Sequence, residues 1–194
     1  MREIIACLKG MPQRVRGNLS SALTNGKVET HLKTLMGITW ATQQRRGRPR
    51  SFLMDKKLGA PLDLVAFEQG VPQFWIEAKS DFVADELSVE RSASRALAQV
   101  RSYAQRVPTE LRECPAYIVH FLCPLPDDEQ YPGWVEVFDR LRENREYALK
   151  ELEDYYRSHN QFGLMTGIRK LTIDFKPQIG AVVVEVDTDG LRNI

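Results

Sequence analysis

An α/β fold, with a central mixed β-sheet flanked by helices, is the class this chain predicts, on three observations. Three apolar runs, "RSFLMDKKLG", "PLDLVAF" and "QFWIEAK", follow one another with only short turns between them, as in an antiparallel meander. A helical pattern then separates the third run from a fourth, "PAYIVHFL", which is the layout of a βαβ crossover. Two more strand-like runs, "KLTIDF" and "IGAVVVEVD", close the chain.

In order, the first 26 residues carry Gly10, Pro12, Gly17 and Gly26 among short apolar pieces and give no clear period. From Val28 to about Gln44, residues Val28, Leu32, Leu35, Met36, Thr39 and Trp40 fall on one face at helical spacing, with Glu29 in the first turn. "RSFLMDKKLG" reads as the first strand, closed by Gly59 and Pro61, and "EQGVP" as the turn between the second and third. The segment "LSVERSASRALAQVRSYAQRV" puts Ala93, Ala96, Leu97, Val100, Tyr103, Ala104 and Val107 on one stripe before Pro108 stops it. "PAYIVHFL" is nearly continuous in apolar and aromatic residues, as suits a strand covered on both sides. After the turn-rich "CPLPDDEQYPG", apolar residues from Trp134 to Tyr155 predict an added long amphipathic helix reaching about Arg157.

The length, 194 residues, suits one domain over 1–194, its core at about 28–123, with the long helix and terminal strands in 124–194. Hydrophobic residues at 43% and charged residues at 27% are ordinary globular values, which argue against disorder. No apolar run approaches the roughly 18 residues of a membrane span, and the apolar patch before Lys9 is shorter than a secretory signal needs, so no membrane partner is expected and a cytoplasmic location is. Cys7, Cys114 and Cys123 are odd in number and lack CxxC spacing, while His31, His120 and His159 match no zinc spacing. Each histidine reads as structural or surface. Net charge is +1, but residues 1–58 hold twelve Lys/Arg against three Asp/Glu, and residues 59–194 hold fifteen against twenty-three. The basic part is densest at "QQRRGRPR", where Arg45, Arg46, Arg48 and Arg50 form a candidate phosphate-tracking cluster; a solvated loop is the alternative.

The residues that ask for chemistry are Asp63, Glu77 and Lys79, charges set in otherwise apolar strands where an unpaired charge is expensive. Glu77 and Lys79, two apart, project from one face while Ile76 and Ala78 take the other. Asp63 lies on the neighbouring strand, where a short turn brings its carboxylate beside Glu77. Two carboxylates held together repel each other unless a cation sits between them. Hard oxygen ligands with room for water suit Mg²⁺, for which Mn²⁺ is the natural substitute. A lysine beside that ion can orient a water and stabilise charge on a phosphate. Asp81 and Asp85, in a presumed loop, read as solvated.

"PLD" at 61–63, thirteen intervening residues and "EAK" at 77–79 resemble the PD-(D/E)xK nuclease signature, and "QVRSY" resembles the QxxxY motif that often follows it. The layout is similar to the nuclease regions of type I restriction subunits over about residues 28–123. One departure is Leu62, which stands where the family has its aspartate, one place before Asp63. The resemblance implies a restriction-endonuclease-like core and a Mg²⁺-dependent endo- or exodeoxyribonuclease of defence, restriction or repair. It implies Asp63, Glu77 and the backbone carbonyl of Ala78 as metal ligands, Lys79 as the catalytic lysine, Glu29 as a further acidic residue, and Gln99 and Tyr103 as residues lining the site and steadying substrate. The implied partners are nucleic acid, DNA first, a second copy of the chain where both strands of a duplex are cut, and a separate ATPase, since no GxxxxGK[ST] is present. A nuclease fold used only for binding or scaffolding, and a ribonuclease, stay open as alternatives.

Overall fold

The structure is a computed structural model that describes residues 1–14, 28–43, 47–82, 86–123, 145–160, 163–176 and 178–190. Its elements are α1 (Arg2–Gly10), a 3₁₀ turn at Met11–Arg14, α2 (Val28–Thr42), β1 (Arg50–Lys57), β2 (Pro61–Glu68), β3 (Val71–Phe82), α3 (Glu86–Ala104), α4 (Thr109–Arg112), β4 (Ala116–Cys123), α5 (Arg145–Ser158), β5 (Met165–Ile173) and β6 (Ile179–Val186). The strands form one six-stranded sheet in the order β1-β2-β3-β4-β6-β5. Within it β3 and β4 run parallel, joined through α3 and α4 as the crossover pattern predicts, while the other neighbours are antiparallel. Among the described residues no helix is long and apolar enough to cross a membrane.

Two apolar layers follow from the period of the strands. In β4, Ala116, Ile118 and Leu122 join a cluster built on α3, α4 and α5, whereas Tyr117, Val119, Phe121 and Cys123 join a cluster built on α1 and α2. The same alternation in β6 sends Val182, Val184 and Val186 to the first layer and Ala181 and Val183 to the second. A strand covered on both sides cannot show an alternating hydrophobic and polar text, which is why these two read as continuous runs. β2 and β3 meet in a two-residue hairpin, Glu68 pairing with Val71, and both turn residues hold the left-handed φ that such a hairpin requires: 54° at Gln69 and 78° at Gly70.

The predicted stripe of α2 is buried throughout, Val28, Leu32, Leu35, Met36, Thr39 and Trp40 all lying inside. Gly37 lets the helix approach β1, since a Cβ there would come within 2.4 Å of the Phe52 ring. That approach brings the first turns of α2 over the end of the sheet that carries Asp55 and Asp63.

Three readings are completed or corrected by these elements. The N-terminal stretch, which gave no period, forms α1 with Ile4, Cys7 and Leu8 buried, followed by the 3₁₀ turn that buries Met11. β3 runs three residues past Lys79, so Asp81 is a strand residue rather than a solvated loop residue. The third is Arg50. It opens β1, its side chain is only 5% exposed, and its guanidinium lies 3.9 Å over the Trp40 ring while pairing with Glu3 and Glu68 at 3.5 Å each. A stacked, nearly dry arginine ties α1, α2 and the hairpin together and is not available to track phosphates. Replacing it with alanine is expected to lower stability by about 2 kcal/mol through lost packing and ion pairing, which denaturant unfolding checks.

Of the predicted long helix, Arg145–Ser158 is the described part, and the segment from Trp134 to Asn144 lies outside the described residues, as do Arg45, Arg46 and Asp85.

Candidate active site

β2 and β3 pair from their hairpin to Leu64–Ile76, with one register shift between Ala66 and Phe67, and their ladder ends at Leu64–Ile76. Beyond that point the side chain of Asp63 takes over from the backbone: its Oδ2 accepts the N–H of Ala78 at 2.8 Å. In an extended strand the N–H and C=O of one residue point to the same side, so the Ala78 carbonyl is also turned toward β2. The two strands thus part where Asp63, Glu77 and Ala78 stand, and the sheet end opens between them.

Glu77 and Lys79 share a face, opposite Ile76 and Ala78, which belong to the α1–α2 layer. The Lys79 ammonium donates to Glu77 Oε1 at 2.5 Å, and the Glu77 side chain is only 2% exposed. Burial pushes the Glu77 carboxyl up, the nearby Asp63 charge adds to the rise, and Lys79 opposes it; the result is a value of about 7. Lys79 remains charged: burial would lower its pKa, and the bond to Glu77 more than offsets that. Glu29, on the first turn of α2, is likewise raised by burial, with Lys79, Asp63 and Lys33 as its charged neighbours and the Ser80 backbone amide favouring its ionised form.

Lys33 is the residue that the sequence hides. On a helix, a lysine between buried positions reads as an edge residue that snorkels to water. Here its side chain is 7% exposed, and its Nζ lies 2.9 Å from Asp63 Oδ1, 2.9 Å from Asp55 Oδ1 and 3.8 Å from Glu29 Oε1. Burial lowers its pKa, but the bonds to Asp55 and Asp63 raise it further above the ordinary lysine value. Asp55 reaches this position because it holds a left-handed φ of 49° within β1, a conformation that Asp tolerates better than most residues. The only hint in the text was the i,i+4 spacing of Glu29 and Lys33.

A second polar group stands two rows along. His120, fully buried on β4, places Nε2 2.5 Å from Asp81 Oδ2 and Nδ1 3.2 Å from the Tyr156 hydroxyl of α5. The carboxylate only accepts, so Nε2 carries the proton, and in the neutral ring Nδ1 accepts from Tyr156. Asp81 is therefore engaged inside the fold, contrary to its reading as a solvated residue. Gln99 and Tyr103 meet on α3, where Gln99 Nε2 donates to the Tyr103 hydroxyl at 3.2 Å. Tyr103 packs in the layer with Trp75 and Val100. Of the basic cluster, Arg48 is exposed.

The ion-paired set comprises four carboxylates, Glu29, Asp55, Asp63 and Glu77, and two ammonium groups, Lys33 and Lys79. With all four carboxylates ionised, the set carries two more negative than positive charges, the number that one divalent cation offsets. Among the described residues no three His, Cys, Asp or Glu side chains are arranged as a metal cage. An ion that binds one or two carboxylates and keeps most of its waters, as Mg²⁺ does, needs no such cage, and Asp63 and Glu77 are the residues that could hold one. No family model matches the sequence, and no curated protein and no solved structure matches it either.

Glu77 also fixes a pH dependence. Its folded pKa lies above its unfolded value, so the folded chain holds the extra proton between the two, and its contribution to stability falls as pH rises through about 7. Were Glu77 a cation ligand, a divalent ion on the ionised carboxylate would reverse that penalty, and saturating Mg²⁺ would then raise the melting temperature more at pH 8 than at pH 6, which differential scanning calorimetry at the two pH values checks.

Proposed function

We propose that this chain is a divalent-cation-dependent nuclease with a restriction-endonuclease-like core, hydrolysing phosphodiester bonds and acting on DNA first. The observation that carries the reading is the meeting of the Lys79–Glu77 pair with the Asp63–Ala78 bond where β2 and β3 part. Asp63, Glu77 and the Ala78 carbonyl would hold Mg²⁺ or Mn²⁺, and the excess of carboxylates over ammonium groups supports that assignment. When bound, the ion supplies Lewis acidity toward a phosphate oxygen.

The chain's own residues do the rest. Lys79, fixed by Glu77, presents an ammonium to the attacking water and to the charge that grows on the phosphate, where a preoriented donor is most effective. Glu77 keeps Lys79 from swinging away. Glu29 adds a carboxylate to the α2 side, able to accept a proton because burial has already raised its pKa. Gln99 and Tyr103 stiffen α3 beside the β3 face. The nucleic acid is then contacted by exposed cations, with Arg48, Arg95 and Arg101 as the described candidates.

The alternative of a binding or scaffold module draws on one observation, the seating of Lys33 on Asp63, which neutralises a proposed ligand from within. Incubating the purified protein with linear, circular and single-stranded DNA and with RNA, in Mg²⁺, Mn²⁺ or EDTA, separates the readings. The nuclease reading predicts cleavage of DNA with either ion, lost in EDTA and lost in Glu77→Gln. Cleavage of RNA alone would replace DNA as substrate, and intact nucleic acids throughout would leave the scaffold reading.

A further inference from the structure

We infer that the Lys33 ammonium is a built-in counter-ion of this site, holding Asp63 when no divalent cation is present and lowering the site's affinity for one. The inference rests on the reading of Asp63 and Glu77 as cation ligands and names what regulates their occupancy.

The geometry is that of a cation site filled by a side chain. Three carboxylates from three elements surround one nearly buried ammonium: Glu29 from α2, Asp55 from β1 and Asp63 from β2. Asp55 stands between the pairs Met54–Leu64 and Lys56–Leu62, level with Asp63 on the next strand, and its left-handed backbone turns the carboxylate to Lys33. Both oxygens of Asp63 are engaged, Oδ2 by the Ala78 N–H and Oδ1 by Lys33. A divalent ion that binds Asp63 therefore arrives within ion-pair range of a fixed positive charge, and like charges at that separation repel strongly in a partly dry site.

Two physical roles for Lys33 predict opposite signs. As a strut that orients Asp63, its loss would loosen the ligand and weaken cation binding. As a resident counter-ion, its loss removes the repulsion and leaves a more negative site, so binding tightens. The engagement of Asp63 by the Ala78 amide favours the second, because that bond holds the carboxylate without help from Lys33.

The test is a titration of the full chain with Mn²⁺, without nucleic acid, following the free-ion signal by electron paramagnetic resonance. Wild type is compared with Lys33→Met, Lys33→Gln and Glu77→Gln, each checked for folding by circular dichroism. The glutamine variant keeps donors for Asp55 and Asp63 without the charge. Both Lys33 variants are expected to bind Mn²⁺ about tenfold more tightly than wild type, and Glu77→Gln to lose binding. If neither Lys33 variant folds, nitrogen-detected spectra of the lysine ammonium groups in wild type decide the matter: Mg²⁺ should move the Lys33 resonance, and an unmoved resonance at saturation overturns the counter-ion role. Unchanged or weaker binding in the Lys33 variants, with wild type binding and Glu77→Gln not, overturns the inference and leaves the cation site standing. No saturable Mn²⁺ binding in any of the four proteins overturns both.

Discussion

Lys79→Ala is expected to lower the rate of phosphodiester cleavage by about 10³-fold or more while changing nucleic-acid affinity by less than about threefold. The ammonium is bound to Glu77 at 2.5 Å inside the sheet end, which under the proposed nuclease reading gives it a role in the chemistry and not in gathering a long polyanion from solution. A loss of that size corresponds to about 4 kcal/mol of transition-state stabilisation. Measuring single-turnover cleavage and equilibrium binding on the same duplex separates the two effects. If activity and affinity fall in proportion, Lys79 is a phosphate contact and not a catalytic group.

Asp63→Ala should be more damaging, because it removes a proposed cation ligand and a structural acceptor at once. Its two oxygens satisfy the Ala78 N–H and the Lys33 ammonium. The variant leaves a buried amide without a partner where the strands part. It also leaves Lys33 with Asp55 as its close acceptor and Glu29 at 3.8 Å. Breaking a buried ion pair costs about 3–5 kcal/mol when one charge is stranded. With Asp55 still in place, a loss near 2 kcal/mol is the expected result, together with cleavage below detection. Urea unfolding of the variant checks the first part, and a stability equal to wild type would show that the Asp63 bonds do little for the fold.

Much of this architecture was legible because its signals are local. The hairpin announces itself by Gln69–Gly70 between two apolar runs, and the crossover by the stripe of α3 between β3 and β4. The stripe of α2 could be written down from spacing alone. Glu77 and Lys79 were legible for a related reason: charges in an apolar strand text need a partner or a task. The remainder depends on contacts between residues far apart in sequence. Nothing near Lys33 says that Asp55 and Asp63 will converge on it, since that follows from Gly37 letting α2 settle on β1 and from the left-handed backbone at Asp55. Arg50 opened the first strand run and was also counted in the basic cluster behind Gly47 and Pro49, and nothing in its spacing showed that its guanidinium would turn inward onto Trp40. His120 gave no sign of its neighbours because Asp81 and Tyr156 come from other elements.

Asp63 and Glu77 are proposed to share one divalent cation. Crystals soaked in Mn²⁺ and measured at the manganese absorption edge test it most directly. The predicted result is a single anomalous peak about 2.1–2.2 Å from an oxygen of each carboxylate, with Lys33 drawn away from Asp63. A fully soaked crystal with no peak between them, and with both lysines still seated on their carboxylates, would contradict it.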